Sequence, residues 1–326
     1  MRLELKPMIP KIEPIIDGSY RPFWSVMIPT FNCAQYLGKT LESVLVQDPG
    51  ADEMQIEVVD DCSTNDDPEK VVREAGKGRI SFYRNSSNLG PTRNFNNCLR
   101  RSKGKYIHIL HGDDYVENCF YSSIRTMITN EPNCGLYGTR SFVMDGNGVL
   151  DWISPKFTEL KPRGQSTLPY AQINSLMFPG VAFRRDCVEK TGGFDESFGH
   201  VADWDMWIRL MFHHGGVLSN CPLAYYRFFD QNDSSRHIRQ ASNVSERIRA
   251  FSGFQQLIPS LCEVTFQRQM SAMALHQYNH FRDSKDNVAA LANYAVWKNI
   301  TPLRQRLMHY LREFKGFVGS RIAFFL

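Results

Sequence analysis

No part of the chain approaches the run of about eighteen consecutive apolar residues that a membrane-spanning helix needs, although 42% of its 326 residues are hydrophobic. A transmembrane helix is therefore not expected. The opening stretch MRLELKPMIPKIEPIIDG spreads charges throughout and has neither an apolar core nor a small-residue cleavage site, so no secretory leader is read and the expected location is cytoplasmic. Cysteine is present but unpatterned. The eight positions (33, 62, 98, 119, 134, 187, 221 and 262) include no C-x-x-C pair, which argues against a disulfide framework and against a zinc site. Neither G-x-G-x-x-G nor G-x-x-x-x-G-K-[ST] sits at a strand-to-helix junction, which removes dehydrogenase and P-loop readings. A strong charge of one sign is also missing. The formal net charge is +4, yet residues 298–326 alone hold six Lys/Arg against one Glu, so the rest of the chain sums to about −1. A nucleic-acid surface over the main body is not supported.

What the chain does contain is alternation. After an arm punctuated by Pro7, Pro10 and Pro14, FWSVMI reads as a buried strand ended by Pro29. Asn32 is placed to cap the next helix, in which Leu37, Leu41, Val44 and Leu45 recur at helical spacing. IEVVD (56–60) is a second strand, and Asp67-Pro68 opens a second helix. RISFYRN, GPTRNFNNCLRRSKG and KYIHIL then read as strand, helix and strand. Four such alternations with mostly continuous apolar strands predict an α/β fold with a mainly parallel central sheet covered on both faces. Beyond residue 120 the pattern changes to a hairpin around a D-G-N-G turn, a helix from about Asp203 ending at Gly215, and a strand, VLSNCPLAYYRFF. The expected organisation is an arm (1–22), two halves of one domain (23–120 and 121–240) and a C-terminal helical extension (241–326).

In parallel sheets ligands bind beyond the carboxyl ends of the strands. Thr30 and Asn32, Asp60 and Asp61, Asn85 to Asn88, and Asp113 and Asp114 all follow strands and converge on that edge. The stretch YIHILHGDDYVE poses the sharpest question. Adjacent ionised carboxylates repel, and burying them costs several kcal/mol unless their charge is offset. A solvated turn that caps the next helix is the plain explanation. The alternative is Mg²⁺ or Mn²⁺, a cation that takes oxygen ligands and bridges to diphosphate oxygens.

The blocks SVMIPTFNCAQYLGKTLESVLVQ, IEVVDDCSTND, NLGPTRNFN, GKYIHILHGDDYV and GGFDESFGHVADWDMWIRL, taken in that order and spacing over about residues 23–230, resemble the family 2 glycosyltransferases. The resemblance implies the GT-A fold, a Rossmann-like nucleotide-diphospho-sugar transferase, with a nucleotide-sugar-binding half over 23–120 and an acceptor-binding half over 121–240. It implies transfer from a nucleotide sugar, UDP-linked above all, to an acceptor hydroxyl with inversion, in cell-surface polysaccharide or glycoconjugate biosynthesis. Carried over residue by residue, Pro29, Thr30, Phe31 and Asn32 would surround base and ribose, and Asp61 would accept a hydrogen bond from the base imide. Asp113 would touch ribose, and Asp114 would ligate Mn²⁺ or Mg²⁺. Asn88 and Arg93 belong to the donor loop, Arg93 either facing the diphosphate or pairing with a surface acid. Cys62 stands where the family has glycine and asks for an ordinary backbone conformation there. Where the family has Glu-Asp, this chain has Ala202-Asp203. Asp203 would be the catalytic base, with Asp205 as the fallback. No Q-x-x-R-W block follows, which implies a non-processive enzyme.

Some residues stay open between two uses. Trp204 and Trp207 could stack on sugar, although core packing is the commoner use of Trp at helical spacing. His200 and His237 are candidates for a third metal ligand. The segment YYRFFDQNDSSRH resembles one that closes over donor phosphates, with Arg227 packed and Ser234, Ser235 or His237 facing the ligand. The C-terminal stretch lines Leu303, Leu307, Tyr310, Leu311, Phe314 and Val318 along one side, beside Arg304, Arg306, Arg312 and Lys315. It reads either as a helix resting on anionic lipid at the inner membrane face, suited to a lipid-linked rather than a free saccharide acceptor, or as one docked on the domain. Two other functions remain in view: a non-catalytic sugar- or nucleotide-binding module, and a sugar-nucleotide pyrophosphorylase, whose Gly-rich loop is absent after the first strand.

Overall fold

The computed structural model describes residues 7–311 apart from 16, 17, 19 and 231. Phe314, Val318, Arg312 and Lys315 of the C-terminal stretch lie outside the described residues. The chain divides into two compact units, one over residues 1–230 and 250–261, the other over 231–249 and 262–326.

The first unit begins with β1 (Trp24–Thr30), α1 (Ala34–Leu45), β2 (Met54–Asp60), α2 (Pro68–Gly76), β3 (Ser81–Arg84), α3 (Pro91–Arg101) and β4 (Tyr106–Ile109). Every residue of β1 is buried, as a central strand covered on both faces requires. Short elements follow: β5 (Tyr115–Val116), α4 (Phe120–Asn130), the hairpin of β6 (Leu136–Met144) and β7 (Leu150–Ile153), and α5 (Leu168–Gln172). β8 (Val181–Arg184), α6 (Arg185–Thr191), α7 (Ala202–His214) and β9 (Gly216–Arg227) complete the sheet. Its order is β3-β2-β1-β4-β8-β6-β9-β5, with β7 paired to β6. β3, β2, β1 and β4 are parallel, as the alternation predicts. β8 then runs antiparallel to both β4 and β6, so the sheet as a whole is mixed.

Two local expectations are corrected. Asn32 does not cap α1: the N-cap is Cys33, and the Ala34 amide donates instead to Asp66 Oδ2 at 2.7 Å. Asn32 itself takes φ +50° and accepts from the Thr64 and Asn65 amides at 2.9 and 3.0 Å. Cys62 does not take an ordinary conformation either; its φ is +63°. That conformation costs a residue with a Cβ roughly 1–2 kcal/mol. The hydrogen bonds that lace the 60–65 turn to Asp60 and Asn32 offset it.

The main core lies between β1, β2 and the helices that cover them, with Val26, Ile28, Leu37, Leu41, Val44, Ile56 and Val58 fully buried. His108 on β4 is part of this interior, held between the Tyr121 hydroxyl and the Pro179 carbonyl at 3.0 Å each. Burial pushes its pKa down from 6.5 to about 4. The unfolded chain therefore takes up this proton first, and stability present above pH 6.5 is lost as pH falls toward 4. At 1.36 kcal/mol per unit, the loss is on the order of 3 kcal/mol. Urea midpoints should drop between pH 7 and 4.5, and His108→Gln, which cannot charge, should show a shallower drop. Equal slopes would remove this account.

The second unit holds α8 (Asp233–Arg239), α10 (Glu263–Asp283) and α11 (Asn287–Ile300), and α9 (Ser242–Leu257) passes from one unit to the other. Residues 303–311 are helical. Tyr310 meets Tyr294, hydroxyl to hydroxyl at 2.7 Å, while Leu303, Leu307 and Leu311 stay exposed. No described helix is long and apolar enough to cross a membrane.

Candidate active site

The ends of the parallel strands carry the polar residues. After β1, Thr30 is buried and Phe31 is 45% exposed. After β2, Asp60 is buried against the Arg84 guanidinium at 2.6 Å. Asp61 accepts from Asn85 Nδ2 at 2.8 Å and from the Leu89 and Gly90 amides at 2.9 Å each. That carboxylate shapes the 85–90 loop, and the loop in turn starts α3. Gly90 is its N-cap with φ +81°, a conformation that suits glycine, and Pro91 follows at the first helical position. Asn88 Oδ1 accepts from the Gly90 amide at 3.0 Å.

After β4 the chain turns tightly. The Gly112 amide bonds Pro29 O at 3.0 Å, continuing the β1–β4 pairing, and the Asp114 amide closes back on His111 O at 3.1 Å. A Cβ on Gly112 would stand 2.7 Å from Thr30 Oγ1 and 3.0 Å from Cys33 Sγ, so only glycine lets this turn press against the end of β1. Thr40 of α1 donates to the Asp114 carbonyl at 2.7 Å. Arg227, at the end of β9, ties the turn from the other side. Its amide donates to Asp114 Oδ1 at 2.8 Å, its Nε to Asp113 O at 3.0 Å, and its Nη1 to Gly146 O at 3.1 Å in the β6–β7 turn.

The outcome is an acid pair in a poorly solvated place. Asp114 is 1% exposed, and its Oδ2 is buried with no hydrogen-bond partner. Burial pushes Asp113 up to about 6, partly opposed by Arg227. Asp114 is raised well above the usual carboxylate range by burial and then by the charge of Asp113. Among the described residues, His111, Asp113 and Asp114 form the one group of three whose ligand atoms lie within 4.8 Å of one another. An orphaned buried carboxylate oxygen beside a second acid and an imidazole fits a divalent cation, which would remove the repulsion and satisfy the orphan.

α3 also fastens the 194–198 loop. Thr92 Oγ1 donates to Phe198 O at 2.8 Å, Asn96 exchanges hydrogen bonds with both the carbonyl and the amide of Phe194, and Arg93 Nε lies 3.2 Å from Glu196. The loop entering α7 is thereby fastened to the helix that Asp61 starts. Asp203 lies half-buried in the first turn of α7, its Oδ1 accepting from the Trp204 amide at 2.7 Å. The N-cap is Val201. Asp205 is engaged elsewhere, 2.8 Å from Arg209 Nε, and Arg209 also holds Thr191 O and Gly193 O.

A model of the family described as Glycosyl transferase family 2 matches residues 25–192, just over half of the chain. The chain belongs to this family. It is similar to the GalNAc(5)-diNAcBac-PP-undecaprenol beta-1,3-glucosyltransferase of Campylobacter jejuni, 26% identical over 65% of this chain and 66% of that protein. Among solved structures, TarS of S. aureus in complex with UDP-GlcNAc aligns with a TM-score of 0.59 and 19% identity over 85% of this chain and 79% of that one. The mannosyltransferase PcManGT of Pyrobaculum calidifontis, in complex with GDP-Man and Mn²⁺, aligns with a TM-score of 0.52 and 16% identity over 92% and 82%. The fold is GT-A, and the family 2 chain is a glycosyltransferase that uses a nucleotide-sugar donor.

In this family 2 chain Thr30, Asn32, Asp61, Asn88, Asp113 and Asp114 lie at or just after the ends of adjoining parallel strands. Arg93 is half in solvent and beside Glu196. Trp204 and Trp207 are buried, the first donating to Tyr170 O at 2.7 Å and the second against Phe178 and Phe194, so they pack the core and offer no face to a sugar. His237, Ser234 and Ser235 fall in or beside α8 of the second unit, and His200 in the loop before α7. The residue that joins the acid pair is His111, which sequence reasoning passed over. Its signal was present, a histidine three positions before Asp114, but only the closed turn makes them neighbours.

Proposed function

We propose that the chain transfers a sugar from a UDP-sugar to an acceptor hydroxyl with inversion, one sugar per encounter. The observation that carries this reading is the buried Asp114 oxygen without a partner, beside Asp113 at the crevice of the parallel strands. Asp114 and Asp113 would hold Mn²⁺ or Mg²⁺, which when bound supplies the positive charge that neutralises the departing diphosphate. That PcManGT is described with Mn²⁺, and TarS with UDP-GlcNAc, supports both choices. Asp61 would accept the imide N–H of uracil. Its Oδ2 takes a single donor from the chain, and an ionised carboxylate oxygen accepts about two. Pro29, Thr30, Phe31 and Asn32 line the base and ribose, and Asn88 and Arg93 edge the donor loop. The acceptor oxygen attacks the anomeric carbon as its bond to the diphosphate breaks on the opposite face, and the acceptor proton passes to the Asp203 carboxylate. The acceptor is a saccharide or a lipid-linked saccharide of cell-surface glycoconjugate synthesis, the class to which the Campylobacter relative's name points.

The test follows sugar release from UDP-sugars and GDP-sugars by NMR with Mn²⁺ present. An anomer inverted relative to the donor, formed from UDP-sugars at least about tenfold faster than from GDP-sugars, is expected. A retained anomer removes the single-base mechanism, and a preference for GDP-sugars removes the uracil assignment.

A further inference from the structure

We infer that His111 is a ligand of the cation, and that it biases the site toward Mn²⁺ over Mg²⁺. The inference rests on the acid pair being the metal site of the proposed transferase, and adds to it the third protein ligand and the metal it selects.

His111 Nδ1 stands 3.6 Å from Asp114 Oδ2, the oxygen that is buried and without a hydrogen-bond partner. That separation is beyond a hydrogen bond. Two ligand atoms each about 2.1 Å from one ion stand roughly 3 Å apart at a right angle. A shift of a few tenths of an ångström thus lets one cation bind both atoms. The ring is held for this. It stacks on Phe95 at 5.0 Å between centroids and 12° between planes, and Phe178 lies against it at 4.3 Å. Phe178 is braced in turn by Trp207 of α7 at 5.5 Å, so the imidazole is fixed by aromatics contributed from α3 and from the turn before β8, the latter backed by α7. The backbone is fixed as well, through the bond from the Asp114 amide to His111 O and the close seat of Gly112 on β1. A ring locked by packing has little rotamer freedom left to lose on binding.

The donor set then determines the preference. Mg²⁺ prefers hard oxygens and keeps its waters, whereas imidazole nitrogen suits transition-series ions. Replacing one oxygen ligand by a nitrogen costs Mg²⁺ more than Mn²⁺, so one nitrogen with two carboxylates shifts the preference toward Mn²⁺ relative to an all-oxygen site. The competing explanation is an imidazolium paired with Asp114 that never meets the metal.

Pulsed electron paramagnetic resonance of Mn²⁺ bound to the full chain with UDP separates the two. Wild type should show nitrogen modulation that moves to the ¹⁵N frequency when the protein is labelled with ¹⁵N-histidine, a result that needs no variant to fold. Calorimetry should show the Mn²⁺-to-Mg²⁺ affinity ratio falling about tenfold or more in His111→Asp, which restores an oxygen ligand, on the scale by which changes around a metal alter affinity. Bound Mn²⁺ without nitrogen modulation, or an unchanged ratio in a folded His111→Asp, overturns the role of His111 and leaves the acid pair as the metal site. Failure of wild type with UDP to bind either ion overturns the metal reading and this inference together.

Discussion

Replacing Asp203 by asparagine is expected to lower kcat by about 10²- to 10⁴-fold, the usual worth of a positioned general base, with donor binding unchanged. α7 presents two acids in its first turn. Asp205 is neutralised by Arg209, which is itself anchored on two carbonyls, so its charge is used in holding α6 and the following loop against α7. Asp205→Asn should therefore cost stability, roughly 3–5 kcal/mol for leaving Arg209 without its partner. Asp203→Asn leaves the Arg209 anchor intact. Transfer rates together with UDP-induced shifts in melting temperature tell the two apart. A drop in kcat under tenfold for Asp203→Asn, in a protein that still responds to UDP, would take the base from this residue.

The second large effect has opposite signs in two measurements. Asp114→Asn should raise the melting temperature in EDTA yet abolish the added stabilisation by Mn²⁺ with UDP. Asp114 is buried beside a second acid, and both are raised by burial. An amide of the same shape keeps the bond from the Arg227 amide to Oδ1 while removing the repulsion. The gain should be on the order of 1–3 kcal/mol. In wild type, ligand at a hundred times its Kd adds about 2.7 kcal/mol of apparent stability, and the variant should lose that increment. Stability given up at a functional site for a ligand's sake is a common compromise. A variant that melts lower than wild type in EDTA would show that Asp114 is kept for packing.

Much of the parallel half of the sheet was legible in order. Apolar runs bounded by turns located β1 to β4, and Asp67-Pro68 and Gly90-Pro91 start helices where capping chemistry says they should. Other features were illegible because their causes lie far away in the chain. Cys62 adopts a left-handed conformation because the side chains of Asn32 and Asp60 hold its turn, something its own residue type argues against. The two tryptophans of α7 could have faced sugar or core, and the aromatic residues that bury them come from Phe178, Phe194 and Phe254. β8 enters between β4 and β6 antiparallel to both, a register that alternation of elements does not encode.

By itself the sequence determined the family, the parallel half of the sheet and the strand ends that carry the acids, because periodicity, caps and turn residues act over a few positions. Tertiary structure alone decided which residues share the acid pair's surroundings. Arg227 reaches it across more than a hundred residues of chain, and His111 comes to it through a turn that closes only when Gly112 can press on β1. Desolvation makes those neighbours matter, since a carboxylate in water needs none, and a buried one must find partners or take up a proton.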